Sequence, residues 1–562
     1  MKLEKIELGH KRVMPFTIPS GIVMTEVACA EKLLREIPEL GIWTTKSIGP
    51  KPRTVPERDE VNNRIPGKEY GNREPILAQY YPGCFVNAVG LTNPGAEEFA
   101  KKMRKAEIPY DKFVLASIFG KNAEEFVFVA KTLENLVDGF ELNLSCPHTT
   151  GYGMQLGQDP KIVKEITKAV TGITKKPVFA KLTPNAGNIG EIAQSAVAAG
   201  AYGISAINTV GPGYHSVDGF PVLTNKVGGG LSGTGIIPIG LRCVRDIRQA
   251  VGKNVPMIVM GGIRTVRDVE AYGEVAGHDN VVYGIGSAAL AGMDDKTMKG
   301  YLAALVDDIR SNGWTNNASI FLRKVDMDYR KVTIEDKLEA ACDIRIFRTD
   351  ESMQATPGQF VFAWIPGIGE KPFSVMDDDP LTLGILERGE FTRQINTLKE
   401  GDSFYVRGPY GQGVDIPKGS NVVLVGGGCG IAGLYLLAKT LFKKVNLQTF
   451  LGAKDKQHLF HLRELEKYGQ VFPITENGDS GRKGLVSDLF GSVKASRGSY
   501  FFNCGPKAMV DAVLPLELEV SSPKKVYSSI DYMTRCGVGV CGSCADEKGR
   551  RTCIEGPFMT AG

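Results

Sequence analysis

The sequence lacks the long apolar segments that would place it in a membrane. It contains no run of about 18 uninterrupted apolar residues, and the opening MKLEKIELGHKR has no apolar core of the kind found in secretory signal peptides. Short-period repeats and low-complexity segments are absent from it too. These absences predict a soluble, cytoplasmic protein with no membrane partner.

An excess of charge of one sign is also missing. The formal net charge is +4 over 562 residues, and the basic residues form no cluster. Nucleic-acid binding needs a concentrated positive surface, so no nucleic-acid partner is expected. The length exceeds what one hydrophobic core supports and predicts roughly three or four domains.

The eleven cysteines are not expected to form a disulfide framework in a reducing compartment. Four of them lie together near the C-terminus with the spacing C-x4-C-x2-C-x8-C, and they are Cys536, Cys541, Cys544 and Cys553. The first part of this spacing is that of plant-type [2Fe-2S] proteins. Structural zinc is the alternative, but it usually uses paired C-x2-C units with a longer separation. The spacing therefore predicts a [2Fe-2S] cluster held by these four residues.

The remaining chain divides by its pattern of strands and helices. From about residue 110 to 310, short β-rich runs alternate with amphipathic stretches, which predicts an α/β fold with a closed (β/α)8 barrel. A β-rich stretch with turn residues then predicts a small antiparallel β-barrel, and a second α/β unit follows. The predicted domains are the barrel at 1–312, the antiparallel barrel at 326–415, a nucleotide-binding unit at 416–520 and the cluster domain at 521–562.

The turn GGGCGIAG, residues 426–433, follows an apolar strand and opens a helix. Such a turn brings backbone N–H groups to a phosphate, although a tight strand-to-helix turn needs glycine in any case. Around it lie PGQFV (357–361), KPFSV (371–375), GEFT (389–392) and NCGP (503–506). With the cysteine cluster, this ordered set resembles the ferredoxin-reductase-like electron-transfer subunit of class 1B dihydroorotate dehydrogenases over roughly residues 325–562.

This resemblance implies FAD and NAD sites as well as the cluster. The residues implied to contact FAD are Lys371, Pro372, Phe373, Ser374 and Thr392. Those implied to contact NAD are Gly426, Gly428, Gly430, Cys504, Gly505 and Pro506. The family usually has arginine where Lys371 stands, and lysine cannot offer the same bidentate fork to a diphosphate.

The N-terminal part carries nine further pieces, which are PSG (19–21), TKS (45–47), NAVGLTNPG (87–95), NLSCP (143–147), AKLTPN (180–185), INT (207–209), GGLSG (229–233), MGGI (260–263) and GIGS (284–287). In this order they resemble the catalytic chain of dihydroorotate dehydrogenases, so both subunits are predicted to be fused in one polypeptide. The resemblance implies oxidation of dihydroorotate to orotate in de novo pyrimidine (UMP) biosynthesis. Electrons would pass from FMN through [2Fe-2S] and FAD to NAD⁺.

Cys146 is the predicted general base. Oxidising a dihydropyrimidine removes a hydride from one ring carbon and a proton from its neighbour, and a protein base must take that proton. A cysteine has an unperturbed pKa near 8.5, and Cys146 lies at a predicted strand end where barrel active sites are built. A buried small hydrophobe is the commoner fate of a cysteine, but the flanking Asn143 and Ser145 favour catalysis.

The resemblance also implies roles for residues at other strand ends. Lys181 is expected to be catalytic, and Lys181 and Lys46 would lie against the FMN ring and hold negative charge on the reduced flavin. The substrate residues are Lys46, Asn87, Gly90, Leu91, Asn143, His148, Asn208 and Thr209. The FMN residues are Ser20, Gly21, Lys46, Ser47, Asn143, Lys181, Gly233, Gly261, Gly262, Gly286 and Ser287. The structural alternatives are solvated surface charges for the lysines and close packing of turns for the glycines.

His148 keeps a second substrate open. Dihydroorotate dehydrogenases commonly have asparagine after SCP, and NLSCPH followed by FAKLTPN also resembles the dihydropyrimidine dehydrogenases. Those enzymes carry an acid where Val89 stands, and they place [4Fe-4S] and NADPH domains ahead of the barrel. Dihydroorotate therefore ranks first and a dihydrouracil-type substrate second.

Two further alternatives concern the electron acceptor and the presence of turnover, and one expectation concerns assembly. NADP⁺, ferredoxin or a quinone could replace NAD⁺, because no clear ribose-reading acid or arginine is present; the missing membrane segment disfavours a quinone. A non-catalytic redox-responsive protein is disfavoured because cysteine, lysine and asparagines are all retained. Family resemblance implies a homodimer through the barrel.

Overall fold

The structure is a computed structural model that describes residues 3–53, 75–144, 154–223, 228–311, 315–491, 495–529 and 533–562. These residues form two compact units. The first consists of residues up to 326 together with 538–550, and the second of 327–537 and 551–562. The finer division into four domains stays a prediction.

The first unit is built around a closed barrel of eight parallel strands, which confirms the predicted (β/α)8 barrel. Its strands, in order around the barrel and along the chain, are Phe16–Ile18, Ile42–Thr44, Phe113–Ile118, Gly139–Asn143, Val178–Lys181, Gly203–Ala206, Met257–Met260 and Val281–Gly284. The α-helices of this unit are Val27–Glu36, Ala96–Met103, Ala123–Leu133, Met154–Gly157, Pro160–Thr171, Ile189–Ala198, Ile237–Val251, Val266–Ala276, Ser287–Leu290 and Asp295–Arg310, with 3₁₀ turns at Glu134–Leu136, Thr234–Ile236 and Asn317–Phe321.

The helix Pro160–Thr171 shows how the sequence produces this outer ring. Asp159 caps it by accepting a hydrogen bond from the backbone N–H of Lys161, and proline occupies the first helical position, where its missing N–H is not needed. The apolar residues at helical spacing are buried; they are Val163, Ile166 and Val170. Burial of each such side chain stabilises the fold by about 1.5–3 kcal/mol.

Short antiparallel strands extend the loops at the barrel. A four-stranded sheet has the order Val210–Gly213, Gly229–Gly233, Cys84–Asn87, Leu77–Tyr81. Two hairpins pair Ile6–Leu8 with Lys11–Val13, and Ser216–Val217 with Phe220–Pro221. The four-stranded sheet brings the segment around residue 87 beside the segment around residue 230.

The second unit begins with a seven-stranded antiparallel sheet. Its strand order is Gly369–Ser374, Phe360–Ile365, Ser403–Tyr410, Arg330–Ala341, Ile344–Thr349, Leu381–Leu386, Asp377–Asp378. One helix, Glu390–Thr397, lies within this stretch of the chain. The predicted change from barrel to antiparallel structure after about residue 325 is confirmed.

A second seven-stranded sheet completes the unit. Its order is Arg482–Lys483, Gln470–Thr475, Asn446–Ala453, Asn421–Gly427, Tyr500–Cys504, Val526–Ser529, Phe558–Thr560, and only the last strand is antiparallel. The helices are Ile431–Leu441, Leu462–Leu465, Lys507–Val520 and Thr552–Glu555, with 3₁₀ turns at Gly428–Gly430, Lys456–His458, Val486–Leu489 and Pro523–Lys525. Strand order reverses at Asn421–Gly427, and ligands bind at such switch points in open α/β sheets.

Across the part of the chain that the structure describes, none of the helices has the length and apolar character needed to span a membrane.

Candidate functional site

The barrel strands end in polar residues and glycines at one face. Asn143 and Lys181 are the last residues of adjacent strands and are paired in register. The carboxyl ends of barrel strands form the face on which barrel enzymes build their active sites. Further predicted residues that follow a strand at this face are Ser20, Gly21, Lys46, Ser47, Asn208, Thr209, Gly261, Gly262, Gly286 and Ser287.

A buried ion pair lies inside this face. Side chains alternate along the strand Gly139–Asn143, and Phe140 and Leu142 pack in the core between strands and helices, so Glu141 and Asn143 face the barrel interior. Lys181 Nζ lies 3.3 Å from Glu141 Oε1, and the two residues are 4% and 0% exposed. Among the described residues, Glu141 Oε2 has no hydrogen-bond partner. The lysine charge is therefore held by one carboxylate, away from solvent.

Ser47 connects three strand ends through side-chain hydrogen bonds. Its Oγ lies 3.0 Å from Ser20 Oγ and 2.9 Å from Ser117 Oγ. Asn143 Nδ2 donates to the same Ser47 oxygen at 2.8 Å. These bonds hold the hydroxyls and the amide of the predicted FMN residues in fixed positions next to one another.

The substrate loop predicted from NAVGLTNPG is organised by Asn93. Its Oδ1 accepts hydrogen bonds from the backbone N–H groups of Gly49 and Gly95, and its Nδ2 donates to the carbonyl oxygen of Leu91. Gly90 and Leu91 both have positive φ, 74° and 58°. A non-glycine residue rarely adopts that conformation, so the Asn93 bonds hold a strained turn beside the segment that follows the second barrel strand.

The other predicted substrate residues make local contacts. Asn87 Nδ2 donates to the carbonyl oxygen of Gly230 at 2.9 Å. Asn208 Oδ1 accepts from the backbone N–H of Thr209 at 2.8 Å. Asn87 and Thr209 are half-buried and within reach of solvent at the edge of the barrel face.

The predicted FMN residues Gly233 and Gly262 lie where turns pack closely. A Cβ on Gly233 would lie 1.9 Å from the carbonyl oxygen of Gly83, and one on Gly262 would lie 2.6 Å from that of Gly233. Both glycines have positive φ, 98° and 85°. Ser287 Oγ lies 3.1 Å from Ser232 Oγ beside these turns. Close packing thus requires glycine here, and the hydroxyls of Ser232 and Ser287 lie beside these turns as candidate phosphate donors.

The donor set of the barrel face fits FMN. A flavin needs donors for its phosphate and, when reduced, a cation near the ring. The serine hydroxyls and glycine turns can supply the first and Lys181 the second. Glu141, two residues before the end of its strand, is paired with this lysine, and its Oε2 has no hydrogen-bond partner among the described residues.

In the second unit, the predicted FAD residues lie on one strand and one helix start. Lys371 to Ser374 form the end of the strand Gly369–Ser374. The Phe373 ring stacks on that of Phe391 with 6.1 Å between centroids. The hydroxyl of Thr392 accepts from the backbone N–H of Gly389 and so caps its own helix. The structure therefore brings the two FAD segments together.

The predicted NAD residues meet at the switch point of the parallel sheet. Gly426 pairs in register with Cys504, and a Cβ on Gly430 would lie 2.1 Å from the Cys504 carbonyl oxygen. A Cβ on Gly433 would lie 3.2 Å from Ser374 Oγ and 3.4 Å from Cys504 Sγ. Ser374 of the FAD set and Cys504 of the NAD set thus both lie next to Gly433.

Cys504 is not an ionised nucleophile. Burial raises the pKa of its thiol to about 12, so the thiol is neutral near neutral pH.

The four predicted cluster cysteines divide between the two units. Cys541 and Cys544 belong to the first unit, and Cys536 and Cys553 to the second. Three of them are buried and Cys541 is half-buried. The intervening glycines Gly537, Gly539 and Gly542 all have positive φ, which suits a tight loop of sulfur ligands.

Within the described residues, no group of three or more His, Cys, Asp or Glu side chains is placed to hold a metal ion. The four-cysteine ligand set stays a prediction that rests on spacing, burial and the glycine loop. The segment that holds Cys541 forms backbone hydrogen bonds to the first unit. Val23 N–H donates to Val540 O at 2.7 Å, and Gly292 N–H donates to Val538 O at 2.9 Å.

Comparison with known proteins agrees with this arrangement. The profile described as "Dihydroorotate dehydrogenase" matches residues 8–277. The catalytic subunit of dihydroorotate dehydrogenase B (NAD(+)) from Pyrococcus horikoshii is 44% identical over 272 residues, which are 47% of this chain and 80% of that protein. The chain belongs to the dihydroorotate dehydrogenase family. Members of this family are oxidoreductases.

Part of the chain is also similar to electron transfer subunits. The probable electron transfer subunit of dihydroorotate dehydrogenase B (NAD(+)) from Thermococcus kodakarensis is 40% identical over 233 residues, which are 41% of this chain and 96% of that protein. A solved structure of an NADH-dependent reduced ferredoxin-NADP oxidoreductase covers 41% of this chain and 88% of its own, with 29% identity and a TM-score of 0.38. By its similarity to these catalytic and electron transfer subunits, this dihydroorotate dehydrogenase family member combines sequences similar to both in one polypeptide.

Two residues central to the predicted chemistry, Cys146 and His148, lie outside the described residues. Their roles in this family member stay predictions from the sequence. The strand that leads to them ends at Asn143, inside the barrel face described above.

Sequence reasoning missed Glu141, Asn93 and the buried pair Arg407–Glu370. A signal was present in two cases, because Glu141 interrupts the apolar run GFEL and Arg407 interrupts the strand pattern YVRGPY. Charged residues are almost never fully buried unless paired. A charged residue inside an apolar strand pattern therefore indicates one member of a buried ion pair.

Proposed function

We propose that this chain oxidises dihydroorotate to orotate in pyrimidine (UMP) biosynthesis and delivers the electrons to NAD⁺. The observation that carries the proposal is the buried Lys181–Glu141 pair beside the Ser47–Asn143 hydrogen bond at the carboxyl face of the barrel. The names of the relatives, dihydroorotate dehydrogenase B (NAD(+)) catalytic and electron transfer subunits, support the same substrate and acceptor.

Each barrel residue has a part in this proposal. Asn87, Asn143, Asn208 and Thr209 hydrogen-bond the ring amides and carboxylate of the substrate, and Lys46 lies half-buried among them. Cys146 takes the ring proton on its sulfur. Lys181, held by its ion pair with Glu141, lies against the flavin ring. His148 contacts the substrate next to the base.

The cofactors supply the redox chemistry. FMN would be held by the barrel residues, FAD by Lys371 to Ser374 with Thr392, and the [2Fe-2S] cluster by the four C-terminal cysteines. When bound, these groups together carry electrons from the substrate to NAD⁺. Gly433 keeps the space between Ser374 and Cys504 free of a side chain, which favours close approach of FAD and nicotinamide.

The test is anaerobic mixing of the purified, cofactor-loaded protein with dihydroorotate and, separately, with dihydrouracil, while flavin absorbance is followed. Dihydroorotate alone should bleach the flavin, and Cys146→Ser should slow bleaching about 10²-fold or more, since serine is a poor base. Bleaching by dihydrouracil alone would show a dihydropyrimidine dehydrogenase. Bleaching by neither, in protein shown to hold FMN, would contradict catalysis.

The acceptor and assembly are tested separately. We expect the reduced protein to pass electrons to NAD⁺ faster than to NADP⁺ or ferredoxin. We also propose that two barrels pair as a homodimer, which sedimentation analysis of the loaded protein would show as twice the mass of one chain.

A further inference from the structure

The second unit contains a fully buried ion pair that the proposed reaction does not use. Arg407 is 1% exposed and Glu370 is 4% exposed. Arg407 Nε donates to Glu370 Oε1 at 2.6 Å and Nη2 donates to Oε2 at 2.8 Å, which is a bidentate contact. The Tyr329 hydroxyl donates to Glu370 Oε1 at 2.5 Å. A buried pair of this kind is costly unless further hydrogen bonds satisfy it, so its placement needs an explanation.

The remaining donors of Arg407 reach the chain at the first cluster cysteine. Nη1 donates to the carbonyl oxygen of Cys536 at 2.9 Å and to the Tyr410 hydroxyl at 3.2 Å. Nη2 donates to the carbonyl oxygen of Arg535 at 3.1 Å. With the two bonds to Glu370, all five N–H donors of the guanidinium are used, which no other side chain could reproduce.

The aromatic rings around Arg407 hold the next residue of the same loop. The guanidinium carbon lies 4.0 Å from the centroid of the Phe362 ring. A Cβ on Gly537 would lie 2.9 Å from the Tyr410 ring and 3.1 Å from the Phe362 ring. The loop at Cys536 and Gly537 is therefore held both by hydrogen bonds and by close packing.

The other half of the pair belongs to the strand of the FAD residues. Glu370 directly precedes Lys371, and its strand Gly369–Ser374 carries all the predicted FAD residues except Thr392. Arg407 lies on the strand Ser403–Tyr410, opposite Phe362 in register. One ion pair thus links the FAD strand to the backbone of a predicted cluster ligand.

We propose that Arg407, held by Glu370, is a positioning residue for the [2Fe-2S] loop, which fixes the first ligand Cys536 relative to the FAD strand. This rests on the cluster assignment in the proposed function. The pair also places two opposite charges beside the cluster loop. Loss of one charge leaves the other uncompensated in a buried site, where charges interact strongly.

The test compares the full chain with Arg407→Lys and Glu370→Gln after reconstitution with iron and sulfide. Arg407→Lys keeps one charge but loses the fork, so iron should be lost to a chelator about tenfold faster, as for other residues that support metal ligands. Glu370→Gln leaves the arginine charge unbalanced, so the midpoint potential of the cluster should rise. Lys439→Met, which removes an exposed ion pair with Asp377 in the same unit, is the matched control and should change neither quantity.

Each outcome decides between defined possibilities. Wild-type protein without iron and sulfide after reconstitution would contradict the cluster assignment itself. A loaded wild type whose iron-loss rate, electron paramagnetic resonance spectrum and potential are unchanged in both variants would overturn the positioning role alone. A lower unfolding temperature with unchanged cluster properties would show that the pair only stabilises the unit, and the proposal would be wrong. Should Arg407→Lys fail to fold, an unchanged potential in Glu370→Gln would overturn it.

Discussion

Glu141 and Lys181 are two charged residues that the barrel buries together. Their side chains come from neighbouring strands and lie 3.3 Å apart inside the carboxyl face. A buried charge is costly unless an opposite charge compensates it. Glu141 therefore supplies the counter-charge of Lys181 where the flavin ring is proposed to bind.

The first prediction concerns this carboxylate. Glu141→Gln leaves Lys181 buried without its counter-charge, which should cost about 3–5 kcal/mol of unfolding free energy and slow flavin bleaching by dihydroorotate. Urea denaturation and anaerobic stopped-flow absorbance measure the two effects. Glu98→Gln, which breaks the exposed pair with Lys101, is the control and should change stability by less than about 1 kcal/mol. Equal effects of the two substitutions would show that the buried pair has no special role.

Lys371 allows a second prediction at the same scale. It lies half-buried on the strand of FAD residues, where the family usually has arginine. Lys371→Arg should bind FAD more tightly, because a guanidinium can contact two phosphate oxygens at once. The FAD dissociation constant, measured by flavin fluorescence during dilution, should fall several-fold. An unchanged or higher constant would show that Lys371 does not contact the diphosphate.

At the scale of elements, helix Lys507–Val520 packs on the parallel sheet through a buried acid. Asn503 Nδ2 donates to Glu517 Oε2 at 2.7 Å, and Glu517 is fully buried. Burial raises the pKa of the Glu517 carboxyl from its usual 4.5 to about 8. The folded protein therefore holds a proton that the unfolded chain releases above about pH 4.5.

This gives a third prediction with a defined sign. Since the folded state binds more protons than the unfolded state, the contribution of Glu517 to stability falls as pH rises between about 4.5 and 8. Glu517→Gln cannot ionise, so its stability relative to wild type should increase with pH across that window. Urea denaturation of both proteins at several pH values measures the difference. A difference that does not change with pH would show that Glu517 has an ordinary pKa.

Local sequence patterns predict some strands of the barrel unit and miss others. The run GFELNLS predicts a strand, and the structure has one at Gly139–Asn143. GGLSG is singled out only by its family resemblance, with Gly233 as an FMN residue, yet Gly229–Gly233 is a strand paired with Cys84–Asn87. Three glycines give no strand pattern, and the partner lies more than a hundred residues away. Such a strand exists because of long-range pairing rather than local preference.

At the scale of the whole molecule, two redox reactions are proposed for one chain. The barrel face is proposed to oxidise the substrate, and the second unit to reduce NAD⁺. Gly433 belongs only to the second of these, since its neighbours are Ser374 and Cys504.

The fourth prediction separates the two reactions. Gly433→Val places a branched side chain between the FAD and NAD residues, where even a Cβ would lie 3.2 Å from Ser374 Oγ. NADH-dependent reduction of a dye should fall about tenfold or more, whereas flavin bleaching by dihydroorotate in the barrel should keep its initial rate. A parallel loss of both would mean that the substitution unfolds the chain or that one site serves both reactions. Circular dichroism distinguishes these cases.

The sequence alone determined the order of the modules, the closed barrel, the strand ends that carry the predicted site residues, and the cysteine spacing. These features are encoded locally, in the period of apolar residues and in short spacings between functional groups. Only the tertiary structure decided which side chains meet. Lys181 pairs with Glu141, which lies 40 residues away in the sequence, and Arg407 donates to the carbonyl oxygen of Cys536, which lies 129 residues away. Such pairs depend on how strands and loops pack in three dimensions, and no local pattern in the sequence records that packing.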